Sequence, residues 1–216
     1  MATEKTHLVW DWNGTLLNDL SLVVTSTNHA IATVDGPVLT PEQHRVAFRR
    51  PVADYYADVL GRAVDAAEFG RLDRIFHDAY RAGLTSCALA EDAEQALRSW
   101  PGSQSLLSMW FHDELVPLVE TYGLTPTFRR IDGLRTAVGG DRKASHLDRH
   151  LTELGVDPAE TVLIGDSIDD ADAAQEVGAS CILYTGGFTD PGRLLARGVP
   201  VAETLSEAVL LATRHD

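Results

Sequence analysis

The 216 residues suit one sizeable domain, or a core domain carrying a smaller insertion. Hydrophobic residues make up 44 % and charged residues 23 %, which argues against a disordered chain. The formal net charge of −14 argues against a general electrostatic grip on nucleic acid or an anionic membrane, although a bound cation can still invert the field locally for a small anion.

In chain order, "THLVW" (6–10) is a short apolar run that predicts a buried strand. "DWNGTLLND" follows as a loop with Gly14 at a turn position. From Asp19 to about Ser86 the pattern is helical. "SLVVTSTNHAIATVDG" has helical apolar spacing and stops at Gly36. "TPEQHRVAF" opens with a Thr cap, Pro at the first helical position and Glu42 soon after. "VADYYADVLG" and "DAAEFGRLDRIFHDAYRAG" are two more amphipathic helices, each expected to end at Gly.

After "TSCALAEDAEQALRSW" the texture changes. "SQSLLSMW" (103–110) predicts a strand and its exit loop, "DELVPLVETYG" a helix, and "PTFRRIDGL" a short strand and loop. "RKASHLDRHLTELG" predicts a helix, "ETVLIGD" a strand, "DDADAAQEVG" a helix and "SCILYTGG" a strand. Strands alternating with helices imply a doubly wound α/β fold, a parallel sheet covered on both faces and interrupted by a helical insertion after the first strand. The expected boundaries are a core of 1–17 and 91–216 and a cap of 18–90. Cys87 and Cys181 sit among apolar neighbours and are expected as buried free thiols. "MATEKTHLVW" lacks a signal-peptide pattern and no apolar run approaches a membrane span, so a cytoplasmic location is expected.

In doubly wound folds ligands collect beyond the carboxyl ends of the strands. Three such ends carry polar groups. Asp11 follows "LVW", Ser108 follows "SLL", and Asp166 follows "TVLIG" with Asp169, Asp170 and Asp172 close behind. Lys143, one of only two lysines, opens the helix before the last of these strands. Carboxylates gathered at one edge repel one another unless they surround a hard cation such as Mg²⁺. A lysine and a hydroxyl beside them suit phosphoryl oxygens. Taken singly, each is ordinary: an acidic run is a solvated helix start, Ser108 a strand-end hydrogen bonder and Lys143 a surface residue. Order and spacing give the set its meaning.

In that order and spacing the chain resembles the haloacid dehalogenase-like hydrolases. "DWNGTLLND" matches the first motif, "LLS" ending at Ser108 the second, Lys143 the third, and "IGDSIDDADAAQEVGA" the fourth. The helical insertion resembles the cap of the phosphoglycolate phosphatase-like subgroup. The resemblance implies a Rossmann-like core and a phosphatase acting on a small phosphorylated metabolite. It implies that Asp11 takes the phosphoryl group as an aspartyl phosphate. Thr15, Ser108 and Lys143 would bind the phosphate. Asp11, Asp166 and the main-chain carbonyl of Asn13 would hold Mg²⁺, with Asp170 supporting the metal shell through water. A carboxylate nucleophile splits one displacement into two steps, Mg²⁺ neutralises charge between carboxylate and phosphate, and the transfer needs mostly positioning and electrostatics.

Asn13 departs from the family pattern, where an aspartate protonates the leaving oxygen and later activates water. An amide neither gives nor takes a proton near neutral pH. General acid–base catalysis contributes typically about 10²–10⁴-fold, so turnover is expected to be slow or selective for good leaving groups. Three alternatives stand: an attenuated phosphatase or phosphotransferase; a catalytically silent member that binds a phosphorylated metabolite or a protein partner; and a protein whose Asn13-Gly14 pair deamidates to restore the acid, since glycine leaves the backbone free to attack the amide. A phosphonatase reading, suggested by the resemblance of "DWNGT" to "DWAGT", lacks its cap lysine, because residues 19–90 contain none. Dehalogenation does not suit a metal–phosphate arrangement.

In the cap, "AFRRPVADYY" offers Arg49 and Arg50 to a second anionic group on the substrate, and Tyr55 and Tyr56 to the pocket wall. Against this, adjacent arginines after a helix commonly stay solvated or pair with Asp54 or Asp58. His112 is offered near the mouth of the site, against the commoner role of a lone histidine as structural or exposed. Trp12 is assigned to packing or to the cap hinge. The sequence leaves monomer and homodimer both open.

Overall fold

The computed structural model describes residues 5–135 and 142–214. The first four residues, which bear on the targeting expectation, lie outside them, as do 136–141 and the last two. Strand β1 (His7–Trp10) leads through β2 (Leu17–Asn18) into four helices, α1 (Leu20–Ala32), α2 (Pro41–Ala47), α3 (Val52–Leu60) and α4 (Ala66–Leu84). The chain returns through β3 (Ala88–Leu89) and α5 (Ala93–Ser99). It then alternates: β4 (Ser103–Phe111), α6 (His112–Thr121), β5 (Ile131–Leu134), α7 (Lys143–Leu154), β6 (Thr161–Gly165), α8 (Ile168–Val177), β7 (Ser180–Tyr184), α9 (Pro191–Ala196), β8 (Val201–Ala202) and α10 (Leu205–Thr213).

The large sheet has six strands in the order β5-β4-β1-β6-β7-β8, and every neighbouring pair is parallel. Its strands are buried on both faces, as the sequence predicts. Leu8, Trp10, Val162 and Ile164 join the core on one face, with side chains from α5, α6 and α10. The alternate residues Val9, Leu107, Leu163 and Leu183 meet α7, α8 and α9 on the other. This period-two division explains why β1, β6 and β7 read as continuous apolar runs: both sides need burying.

The four-helix segment has its own small cluster of Ala30, Ile31, Tyr56 and Leu72. Helix α2 starts in a capping box, Thr40 accepting from the Gln43 amide while the Gln43 side chain accepts from the Thr40 amide. The partner is Gln43, and Glu42 is the acidic residue of the first turn. Helix α4 does not stop at Gly83 but runs on to Leu84. A Cβ on Gly83 would lie 2.4 Å from the Leu22 side chain, so this glycine serves close packing of α4 on α1 and not termination. β4 likewise outruns its expected end. It continues to Phe111 across a register irregularity after Leu107, and α6 follows at once.

The strands β2 and β3 pair antiparallel, Leu17 with Leu89 and Asn18 with Ala88. They tie together the two chain crossings between sheet and helices. Each is two residues long, too short to show a period. Among the described residues no helix is long and apolar enough to cross a membrane.

Candidate active site

Register gathers the site. Trp10 lies opposite Leu106 on one neighbour and Ile164 on the other. The next turn of chain on the three central strands therefore brings Asp11, Ser108 and Asp166 to one edge. The Asp11 amide donates to the Ile164 carbonyl at 2.9 Å, fixing the strand end. Lys143, first residue of α7, and Asp170, in the first turn of α8, reach the same edge from the helices.

Asp11, Asp166 and Asp170 are buried, each with a carboxylate oxygen within 4.8 Å of the others. Lys143 Nζ lies 2.9 Å from Asp11 Oδ1 and also pairs with Asp170 Oδ1. Burial raises the Asp11 carboxyl to about 6, with Asp170 adding to the rise and Lys143 opposing it. Asp166 is raised well above its ordinary value, first by burial and then by Asp11. Burial would lower the Lys143 amine, but Asp11 and Asp170 outweigh it and hold the amine above its usual value. One lysine thus faces three carboxylates, and the excess negative charge makes ionisation costly. An oxygen-only donor set with this deficit fits a hard divalent cation.

The outer oxygens are held from behind. Asp166 accepts from the Thr15 hydroxyl at 3.1 Å and the Phe188 amide at 2.6 Å. Asp170 Oδ2 accepts from the amide and hydroxyl of Ser167 at 3.0 and 2.6 Å. Gly14, with φ +75°, passes so close that a Cβ there would lie 2.6 Å from Asp166 Oδ2. Thr15 was expected at the phosphate; its fully buried hydroxyl instead orients Asp166.

Asn13 is tied on both sides of its amide. Its Oδ1 accepts from the Ser108 hydroxyl at 3.0 Å, and its Nδ2 donates to Asp19 Oδ2 at 3.1 Å and to the Tyr80 hydroxyl at 2.8 Å. Ser108 in turn accepts from the Trp110 amide at 3.0 Å. Asp19, 1 % exposed, also accepts from the Gly14 amide at 2.8 Å and from the Tyr80 hydroxyl. Burial raises its carboxyl to about 6, against these hydrogen bonds. Deamidation needs the Gly14 nitrogen to attack the Asn13 side chain; here that N–H is held by Asp19 and by the Leu17 carbonyl, and the amide by three partners.

Above the carboxylates lies a cavity of about 250 Å³, roofed by the four-helix segment. Tyr55 and Tyr56 line it, as expected, and so do Asn13, Lys143 and Arg50. Arg50 forms an ion pair with Asp169 at 2.9 Å, linking the four-helix segment to the first turn of α8. Arg49 is not in the lining and pairs with Asp58, the alternative that the sequence offered. The Nδ1 of His112 accepts from the Gly133 amide at the sheet edge, and His112 is not in this lining. Asp172 pairs with Arg197 at 2.8 Å and takes no part. Trp12 is fully buried and packs edge-on against Tyr122. Both cysteines are free.

Sequence reasoning missed Asp19, Tyr80, His44 and Phe188. Asp19 stands in the quoted "LLND" run but reads as an ordinary helix start. Phe188 stands in "GGFTD", and no pattern there marks its amide as a partner for Asp166.

Comparison with known proteins places this geometry. A family model described as haloacid dehalogenase hydrolase-like matches residues 139–208. A phosphoglycolate phosphatase of Mesorhizobium japonicum is 25 % identical over 96 % of this chain and 98 % of its own. One of Chromobacterium violaceum is 25 % identical over 87 % and 88 %. Among solved structures, a predicted phosphatase from Clostridium acetobutylicum superposes with a TM-score of 0.84 at 16 % identity, covering 97 % and 98 % of the two chains. A haloacid dehalogenase-like hydrolase from Streptococcus pneumoniae gives 0.81 at 18 %, covering 96 % and 98 %. The chain has the haloacid dehalogenase-like α/β fold and is similar, along most of its length, to phosphoglycolate phosphatases.

Proposed function

We propose that the chain is a Mg²⁺-dependent phosphatase that passes a phosphoryl group from a small phosphorylated metabolite to Asp11. The observation that carries this reading is the convergence of Asp11, Asp166 and Asp170 around Lys143 at the end of the central strands. Asp11 Oδ attacks phosphorus, the ester P–O bond breaks, and its electron pair leaves on the alcohol oxygen. Water then attacks the aspartyl phosphate, releasing phosphate, a proton and the Asp11 carboxylate. Asp11, Asp166 and the Asn13 carbonyl would hold Mg²⁺, with Asp170 behind them; bound there, the cation neutralises charge between carboxylate and phosphate. Lys143 and Ser108 hold the phosphoryl oxygens, Ser108 turning its hydroxyl from Asn13. The helices 18–90 act as a cap over the core formed by 1–17 and 91–216, and β2 and β3 form its hinge. A cytoplasmic protein, as monomer or homodimer, accords with this reading.

Asn13 leaves the leaving oxygen without a proton donor at the usual place. Turnover is therefore slow, or selective for leaving groups that need none. The same residue favours the second reading, a silent member that binds a phosphorylated metabolite or a protein partner.

The test is Mg²⁺-dependent phosphate release from an aryl phosphate by the natural protein and by Asp11→Asn, with Asn13 verified by peptide mass. Turnover that disappears in Asp11→Asn supports the enzyme. Equal rates in the two proteins, or none in either, would favour the silent reading.

A further inference from the structure

We propose that the group carried by the phosphate is an uncharged, largely apolar ring, and not a short chain ending in a second anion. This rests on the phosphoryl-transfer reading of Asp11.

Besides Asp11, Asp166 and Lys143, the cavity of about 250 Å³ is lined by Phe48, Val52, Tyr55, Phe76, Trp110 and Phe188. A ring-sized apolar group buries its surface against such walls at roughly 25 cal/mol per Å², and aromatic walls favour offset or edge-on rings.

The lining cations are already committed. Lys143 faces Asp11 and Asp170, and Arg50 faces Asp169. His77 Nδ1 lies 2.7 Å from the Asp73 carbonyl and 3.3 Å from its carboxylate. Asp19 and Asp73 are themselves in the lining. A carboxylate at the far end of the substrate would enter apolar surroundings beside two acidic residues, with no unengaged cation among the described lining residues. An uncompensated buried charge costs several kcal/mol.

His44 also lines the cavity. It is 1 % exposed, its ring stacks on Phe48 at 5.2 Å, and its Nδ1 lies 2.7 Å from the Tyr55 hydroxyl. Its Nε2 is buried with no hydrogen-bond partner among the described residues. Burial, then Arg45, lowers its pKa to about 4, so the ring is neutral at pH 7. A neutral ring in that wall offers no charge to an anion. A phenol also suits Asn13, because an aryloxide departs with the P–O electron pair before any proton reaches it.

The test separates binding from leaving-group chemistry. Titration calorimetry with Mg²⁺ compares benzylphosphonate with 2-carboxyethylphosphonate, neither of which is hydrolysed. Benzylphosphonate should bind at least tenfold more tightly. Phe48→Ala should weaken it severalfold while moving 2-carboxyethylphosphonate less than twofold, with the melting curve checking that the variant folds. Equal affinity in the natural protein, or preference for the carboxylate, overturns the proposal whatever the variant does. Acetyl phosphate, whose leaving group needs no ring pocket, tests the underlying reading separately: turnover that survives Asp11→Asn would sink that reading and leave the affinity comparison intact.

Discussion

The hydroxyl of Tyr80, on α4, donates to the carboxylate of Asp19 at the start of α1, and both accept from the amide of Asn13. Three residues from the loop after β1, the start of α1 and helix α4 thus form one hydrogen-bonded knot. Burial and then Asp19 raise the Tyr80 hydroxyl far above its usual value, so it stays a donor. Tyr80→Phe removes a donor from a buried carboxylate and an acceptor from Asn13. The expected cost is about 1–3 kcal/mol, read as a lower urea midpoint with unchanged slope. A stability within about 0.3 kcal/mol of the natural protein would show that the knot is not energetically important.

Asn13→Asp tests why an amide stands beside Asp19. A carboxylate 3.1 Å from Asp19 Oδ2 would exchange a donated hydrogen bond for like-charge repulsion. The variant should lose about 1–3 kcal/mol of stability at neutral pH. It should also gain a proton donor and acceptor at the leaving oxygen. Hydrolysis of an alkyl phosphate is then expected to rise by about 10²-fold or more, and that of an aryl phosphate much less. Equal gains on both substrates would mean that Asn13 acts through something other than leaving-group protonation.

The pattern of what the sequence makes legible follows from the range of each interaction. Asp11, Ser108, Asp166 and Lys143 each stand where a strong apolar or helical pattern begins, ends or turns, so parallel register brings the first three together and the start of α7 adds the fourth. Asp19 and Tyr80 are 61 residues apart, and nothing in an amphipathic helix says which polar residue turns inward. Arg49 and Arg50 are neighbours with the same chemistry, yet one faces Asp58 and the other Asp169. Their fates depend on where the chain exits α2, which one sequence does not encode in a readable period. The alternation of strand and helix is similarly legible, while β2 and β3 are not, because two residues carry no period.

Thr15→Val tests the support behind Asp166. Valine keeps the shape of threonine and removes the hydroxyl that donates to Asp166 Oδ1 at 3.1 Å. A carboxylate left to rotate holds a metal less well, and losses of such partners cost about 10–100-fold in metal affinity. The Mg²⁺ concentration for half-maximal activity should rise by about tenfold or more. An unchanged Mg²⁺ requirement would assign the hydroxyl to packing alone.

His7 gives a prediction about pH that does not involve the site. It is fully buried in β1, with Nδ1 2.7 Å from the Ser103 hydroxyl and Nε2 2.8 Å from that of Ser105. Ser105 is also 2.8 Å from Nε2 of His150, whose Nδ1 lies 2.7 Å from Asp132. Burial, then His150 and Arg129, lowers the His7 pKa from 6.5 to about 4. Between these values the unfolded chain takes up a proton that the folded chain refuses. The contribution of neutral His7 to stability is therefore complete above about pH 6.5 and is lost as the pH falls to about 4. Other groups titrate in the same window, so the comparison is with His7→Gln, which cannot charge. Relative to that variant, the natural protein should lose roughly 1–2 kcal/mol between pH 7 and 4.5, at about 1.4 kcal/mol per pKa unit. Urea midpoints across that range provide the measurement. A difference that stays flat, or grows in the opposite direction, would mean that the hydroxyls of Ser103 and Ser105 accommodate the charged ring.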